Sequence, residues 1–262
     1  MFRDSEDYLQ DTFLRLEELE QATEGFSFEY FFYENDSEDR TVEMVQEWLS
    51  RRSGKLTSET LDRPKFSQSA AVERQVIMTD YRNRLLSSCK PLSSSYSLLL
   101  DSDVIFAPTL INDYLSYMTD SVVMTTPNTK QNIKCKMFDS TKDSYYDSWA
   151  LRDSNGNMGM VWAHNPFYSQ RDRDSWEENS PVKVNSAFGG CPLIKTEVLN
   201  NILWATQGGC EHWHFCKMAR EYGDVIVIPA IEARVEIEDR VFSNEQTTVE
   251  IQRQRFSLLN GF

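Results

Sequence analysis

Apolar positions recur at helical spacing from the start of the chain. Tyr8, Leu9, Phe13, Leu16 and Leu19 trace one face of an amphipathic helix over residues 4–23. The aromatic run "FSFEYFFY", residues 26–33, reads as a strand, and "ENDSED" breaks it. Val42, Val45, Trp48 and Leu49 mark a second helix over 41–49. Residues 51–70 are polar and basic and contain a proline, which predicts a surface loop. A third helix over 71–89 carries "YRNRLL", followed by a strand at 96–100, a helix at 109–118 and a strand at 122–126. Residues 139–185 are rich in Asp, Asn, Ser, Tyr and Trp with few aliphatic runs, so long loops over one face are expected there. Regular structure resumes at 192–204, in a helix over 211–222 and in a strand at 224–228 that Pro229 closes.

Strands alternating with helices predict an α/β fold with a mixed, mostly parallel sheet. In such sheets ligands collect at the carboxyl ends of strands. Two polar breaks fall at predicted strand ends, Glu34-Asn35-Asp36-Ser37 and Asp101-Ser102-Asp103. Both should therefore lie on one edge of the sheet.

Composition narrows the partners. The chain has 262 residues, 40% of them hydrophobic, enough for one large domain with a real core or at most two small ones. A net charge of −14 repels a polyanion over a broad surface, so nucleic acid is not an expected partner. A polyphosphate ligand is compatible if a divalent cation screens the carboxylates. The five cysteines, Cys89, Cys135, Cys191, Cys210 and Cys216, show no CxxC spacing, which argues against a zinc knuckle or a disulfide framework. No apolar run is long enough to span a bilayer and no signal-peptide pattern opens the chain, so the sequence as written implies a cytoplasmic protein. A Golgi lumenal location is expected instead if the chain is a fragment of an anchored protein.

The acidic pair in "LLLDSDVIF" carries the chemistry. Two carboxylates at a strand end, where the chain turns, can approach one ion, and hard oxygen ligands suit Mg²⁺ or Mn²⁺. The plain alternative is a solvated turn after a buried strand. Among enzymes, haloacid-dehalogenase-type phosphatases use the string DxDx[TV], with the first aspartate as nucleophile. They also need a second acidic pair at a later strand end, and "YGDVIV" supplies Asp224 alone.

The other class is the metal-dependent glycosyltransferase of GT-A, Rossmann-like fold. "FEYFFYENDSEDRT", "YRNRLL", "YSLLLDSDVIF", "YYDSWALRD", "NSAFGGCPLIK" and "CEHWHFCKMAREYGDVIVIP" occur in the order of that fold. Together they resemble the cryptococcal capsule-associated α-1,3-mannosyltransferase family, and more distantly the mannan-polymerase-type mannosyltransferases, over roughly residues 5–236. The resemblance implies a single domain over 1–262, with a nucleotide-binding half over 1–126 and an acceptor and sugar half over 127–262. It implies transfer of a hexose, mannose from GDP-mannose being favoured over a UDP-sugar, to a glycan or glycoprotein acceptor with Mn²⁺ or Mg²⁺. An inactive homologue acting as a binding subunit is the non-enzyme alternative.

Residue by residue, the resemblance implies that Asp103 holds the metal and that Asp101 touches the ribose or the metal through water. Glu34, Asn35 and Asp36 would form the nucleotide rim, although the same triplet also reads as an Asx-type turn. Arg82 would pair with a phosphate or with an acid of the site. Gly189 and Gly190 would let backbone approach a sugar closely. Glu211, at a predicted helix start, resembles the acid that serves as general base in inverting enzymes of this fold. No histidine follows His214 to complete the metal shell, so Glu236, Glu232 or water is expected in its place. Asp147, Trp149, Arg152 and Asp153 fall in a segment of the sugar or acceptor region. Finally, Met1 leads at once into what looks like the exit loop of a first strand, which predicts an incomplete first βα unit.

Overall fold

The computed structural model describes residues 1–64, 72–134, 141–161, 163–206 and 209–235. The expected mixed sheet flanked by helices is present. Helix α1 (Glu6–Ala22) buries Leu9, Phe13, Leu16 and Leu19 on one face, as its periodicity requires. Strand β1 (Tyr30–Asn35), helix α2 (Thr41–Leu49) and strand β2 (Gly54–Glu59) follow. β2 lies where a surface loop was expected, paired in parallel with β1 from Tyr30–Gly54 to Asn35–Glu59. Its sequence, GKLTSE, has no buried face, so hydrophobic periodicity could not reveal it. Ahead of α1, Phe2 forms one parallel bridge to Glu34, its N–H donating to Tyr33 O at 2.9 Å.

Helix α3 (Val72–Cys89) leads into β3 (Tyr96–Leu98), the acidic turn, β4 (Val104–Phe106), α4 (Leu110–Leu115) and β5 (Val122–Lys134). Strand β6 (Thr141–Tyr145), helix α5 (Gln170–Glu177) and strand β7 (Val182–Val184) interrupt the segment expected to be loops. Strand β8 (Leu193–Lys195), helices α6 (Thr196–Asn201) and α7 (Glu211–Ala219) and strand β9 (Asp224–Val235) complete the order. The main sheet runs β3-β8-β5-β9-β4, with β6 on β5 and β7 on β9. The parallel pairs are β1–β2 and β5–β9, and the other ladders are antiparallel, so parallel pairing is scarcer than strand–helix alternation implied.

Strand β9 does not stop before Pro229. Its register against β5 shifts between Pro127 and Asn128, where the partner jumps from Ile228 to Glu232. A residue lacking an N–H is tolerated at such an irregularity because the ladder is already interrupted. Alternate residues of β9 feed two separate core clusters, Val225 and Val227 in one, Ile226 and Ile228 in the other. The strand is thus covered on both faces, which explains its continuous apolar run. Among the described residues no helix is long and apolar enough to cross a membrane.

Candidate active site

Leu99 N–H donates to Pro192 O at 2.9 Å and Asp101 N–H to Gly190 O at 2.7 Å, so pairing between the β3 and β8 segments continues past the regular ladder. This carries the chain to the acidic turn with Asp101 facing inward. Its side chain is 30% exposed and pairs with Arg82 Nη2 at 3.2 Å. Asp103, one residue beyond Ser102, is exposed.

Arg82 projects from α3 and is 11% exposed. Its Nε lies 3.9 Å from Glu211 Oε1, and its guanidinium sits 4.9 Å from the Phe188 ring centroid and 5.9 Å from that of Trp204. A cation held between two acids and two aromatic faces has little freedom to move, which fits it to orient charge. Glu211 opens α7, buried, where a helix N-terminus favours negative charge. Phe188 also stacks on His212 at 3.8 Å. Burial, reinforced by the charges of Arg82 and Arg74, pushes the His212 imidazole well below its usual range and keeps it neutral.

The Phe188-Gly189-Gly190 turn ties these parts together. Gly189 N–H donates to Asp147 Oδ2 at 3.0 Å, Gly189 O accepts from Thr129 Oγ1 at 2.5 Å, and Gly190 O accepts from Asp101 N–H. Gly189 and Gly190 have φ of +65° and +76°. A Cβ on Gly190 would lie 2.5 Å from Val104 Cγ2 and 3.6 Å from Asp101 Oδ2.

Asp147 brings a third carboxylate. Burial pushes its pKa up to about 6 despite N–H donors from Gly189 and Ala150, and the charges of Asp101 and Glu211 add to the rise. Its carboxyl therefore stays protonated to a higher pH in the folded chain than in the unfolded one. Since the folded pKa exceeds that of the unfolded chain, the stability Asp147 contributes is fully present below about pH 4 and is lost as pH climbs through about 6. The gap in Tm between Asp147→Asn and wild type is expected to shift in favour of the variant across that window and level off above it. Thermal unfolding of both at pH 4 to 8 checks this, and parallel curves would refute it.

Asp101 and Asp103, at one turn, offer oxygen donors of the kind a hard divalent cation takes, whereas among the described residues Asp101, Asp147 and Glu211 do not gather into a metal-sized group.

The first polar break behaves differently. Glu34 is buried and accepts from Ser37 N–H at 2.7 Å and Ser58 Oγ at 2.6 Å. Asn35 Nδ2 donates to Asp36 at 2.8 Å and to Tyr81 Oη at 2.9 Å. Asp36, at φ +56°, accepts from the N–H groups of Leu61, Asp62 and Arg63. Burial alone would raise its carboxyl, but the Asn35 amide and those N–H donors hold it down to about 2. These polar atoms are spent on the turn itself. Beside them opens a cavity of about 380 Å³ lined in part by Tyr8, Asn35, Arg74, Tyr81 and Ser102. Glu232 is exposed and pairs with Lys130, and Glu236 lies outside the described residues.

A family model described as cryptococcal mannosyltransferase 1 matches residues 9–226. The chain belongs to the cryptococcal mannosyltransferase 1 family. Among curated proteins none matches. Among solved structures, S. aureus TarS superposes with a TM-score of 0.52 at 13% identity, over 90% of this chain and 35% of that one. S. aureus TarS 1–349 in complex with UDP-GlcNAc gives 0.49 at 14% identity, over 90% and 57%. GalNAc-T7 with UDP, GalNAc and Mn²⁺ gives 0.48 at 12% identity, over 78% and 37%. This chain thus spans from about a third to under two thirds of those proteins. At such identity the likeness establishes fold, and the fold is that of GT-A glycosyltransferases.

Within this cryptococcal mannosyltransferase 1 family member, the structure gathers Asp101, Arg82, Glu211, Gly189 and Gly190 from positions that span the chain from 82 to 211. It leaves Asp103 exposed and turns Glu34, Asn35 and Asp36 toward protein partners. Sequence reading placed Asp147 in this region without a role, and it missed Phe188 and His212 as the stacked floor of the site. No local spacing signals such a stack, because Phe188 lies ahead of β8 and His212 in α7, and only packing brings them together.

Proposed function

We propose that this chain is a glycosyltransferase domain that moves a hexose, mannose by preference, from a nucleotide-diphospho-sugar to a glycan or glycoprotein acceptor. The observation that carries the reading is the bridge Asp101–Arg82–Glu211. It sets a carboxylate at a helix start against the acidic end of β3 in a chain of this family. Asp101 and Asp103 would hold Mn²⁺ or Mg²⁺, which supplies charge neutralisation of the diphosphate leaving group. Arg82 holds Asp101 and Glu211 in register and places a fixed positive charge beside them. Glu211 takes the proton from the acceptor hydroxyl, at its buried carboxylate. Gly189 and Gly190 are buried, and Thr129, Pro127 and Val104 fill the space a Cβ would need, so these glycines serve to close the turn against Asp101 and not, as expected from the sequence, to open backbone to a sugar. The cavity beside Tyr81 is of a size to take a nucleoside.

Thermal unfolding with GDP or UDP, each with Mn²⁺, Mg²⁺ or chelator, tests the reading. A nucleotide at about a hundred times its Kd should raise Tm by about 5–10 °C, and only with the metal present. GDP exceeding UDP supports mannose transfer from GDP-mannose, to be followed by donor hydrolysis assays. Absence of any nucleotide response would overturn the assignment.

A further inference from the structure

Cys210, Glu211 and His212 are consecutive, all three are buried, and one donor atom from each lies within 4.8 Å of the others. Cys210 Sγ is 3.8 Å from Glu211 Oε2, and His212 Nε2 is 3.6 Å from Glu211 Oε1. Ligand bonds of about 2.0–2.3 Å around a tetrahedral zinc ion set neighbouring donors about 3.3–3.5 Å apart. The Cys210–Glu211 and Glu211–His212 pairs are within a few tenths of an ångström of that spacing, and the third pair lies within 4.8 Å.

A second observation is independent of that spacing. Among the described residues, neither nitrogen of the His212 ring makes a hydrogen bond. The 3.6 Å approach of Nε2 to Glu211 is too long for one, and buried Nδ1 has no partner. Buried polar groups are ordinarily satisfied, and one that is not calls for an explanation. The ring is held instead by its stack on Phe188, with Nε2 facing the Glu211 carboxylate and buried Nδ1 without a partner.

We propose that Cys210, Glu211 and His212 form a site for a borderline-soft divalent cation of the zinc class, and that filling it inhibits glycosyl transfer. The site differs from the oxygen-only set at Asp101 in donor chemistry. Thiolate and imidazole select Zn²⁺ over Mg²⁺ or Mn²⁺, which prefer oxygen. Binding forms the metal–sulfur bond as the Cys210 thiol releases its proton to solvent, with no change of oxidation state. Three protein donors leave a fourth position for water. Arg82, 3.9 Å from the same Glu211 carboxylate, is the competing cation, so the thiolate must supply much of the affinity. Inhibition rests on the reading of Glu211 as base, because a carboxylate bound to zinc cannot accept the acceptor's proton.

Co²⁺ serves as the probe for the metal site, without donor or acceptor. Adding it to the metal-stripped protein should produce a thiolate-to-cobalt charge-transfer band and intense tetrahedral ligand-field bands, both abolished by Zn²⁺. Cys210→Ala should lose the bands while keeping the wild-type Tm within a few degrees and the nucleotide-dependent shift. His212→Gln should weaken or shift the ligand-field bands. No band in folded wild type, or a band surviving Cys210→Ala, overturns the site. In the transferase assay with Mn²⁺, Zn²⁺ should lower wild-type turnover at least tenfold and Cys210→Ala turnover less than twofold. Equal inhibition of both overturns the inhibitory role. Because the cobalt spectrum needs no turnover, a protein with the bands but no transferase activity would refute the proposed function and leave the metal site standing.

Discussion

Replacing Glu211 with glutamine is expected to lower transferase turnover by about 10²–10⁴-fold, the usual contribution of a positioned general base. The substitution keeps side-chain size and an acceptor oxygen for Arg82, but removes the group that takes the proton. The carboxylate is well placed for that task. It opens α7, it is buried, and Arg82 Nε at 3.9 Å holds it near Asp101. Binding should survive, since in this reading Glu211 contributes little to holding the nucleotide. The checks are steady-state kinetics beside nucleotide-dependent thermal shifts on the same preparation. Turnover within tenfold of wild type, with the fold intact, would remove Glu211 from the role of base.

The second large effect is expected at Gly190. Alanine there must adopt φ near +76° and bring its Cβ to 2.5 Å from Val104 Cγ2. The backbone conformation costs about 1 kcal/mol or more for a residue with a Cβ, and overpacking a core neighbour adds about 1–3. The sum of about 2–4 kcal/mol corresponds to a fall in Tm of about 4–16 °C for a chain of this size. Because Gly190 O also receives the Asp101 N–H, movement of this turn displaces the acidic end of β3. Gly190→Ala should therefore lose the metal-dependent nucleotide shift even at temperatures where it remains folded. A variant with wild-type Tm and an undiminished nucleotide response would show that the turn does not need glycine.

How much was legible in the sequence depended on the kind of signal. Helices α1 and α2 were readable because their buried residues repeat at a spacing that one helix face alone accounts for. β2 was not, because GKLTSE buries neither face and is ordered by its ladder to β1. The far half of β5, beyond Thr126, was equally hidden. It is polar, and β6 and the second half of β9 hold it in place. Pro229 looked like an end because a regular ladder needs an N–H at every second residue. The register shift around it removes that need.

The site divides in the same way. Asp101, Gly189, Gly190 and Glu211 were conspicuous as types at strand ends, helix starts and turns, Arg82 stood out within the "YRNRLL" helix motif, and the order of these motifs was enough to suggest the family. The alternation of strand and helix patterns, with the net charge, pointed to an acidic α/β domain with carboxylates at strand ends. Which carboxylates face one another was decided only in three dimensions. Asp101 turns in and Asp103 lies exposed, Asp36 is spent on its own turn, and Asp147 joins a cluster where burial opposes its charge. The reason is physical. A residue's type is written locally, but its pairing and its proton depend on neighbours that only packing brings within a few ångströms.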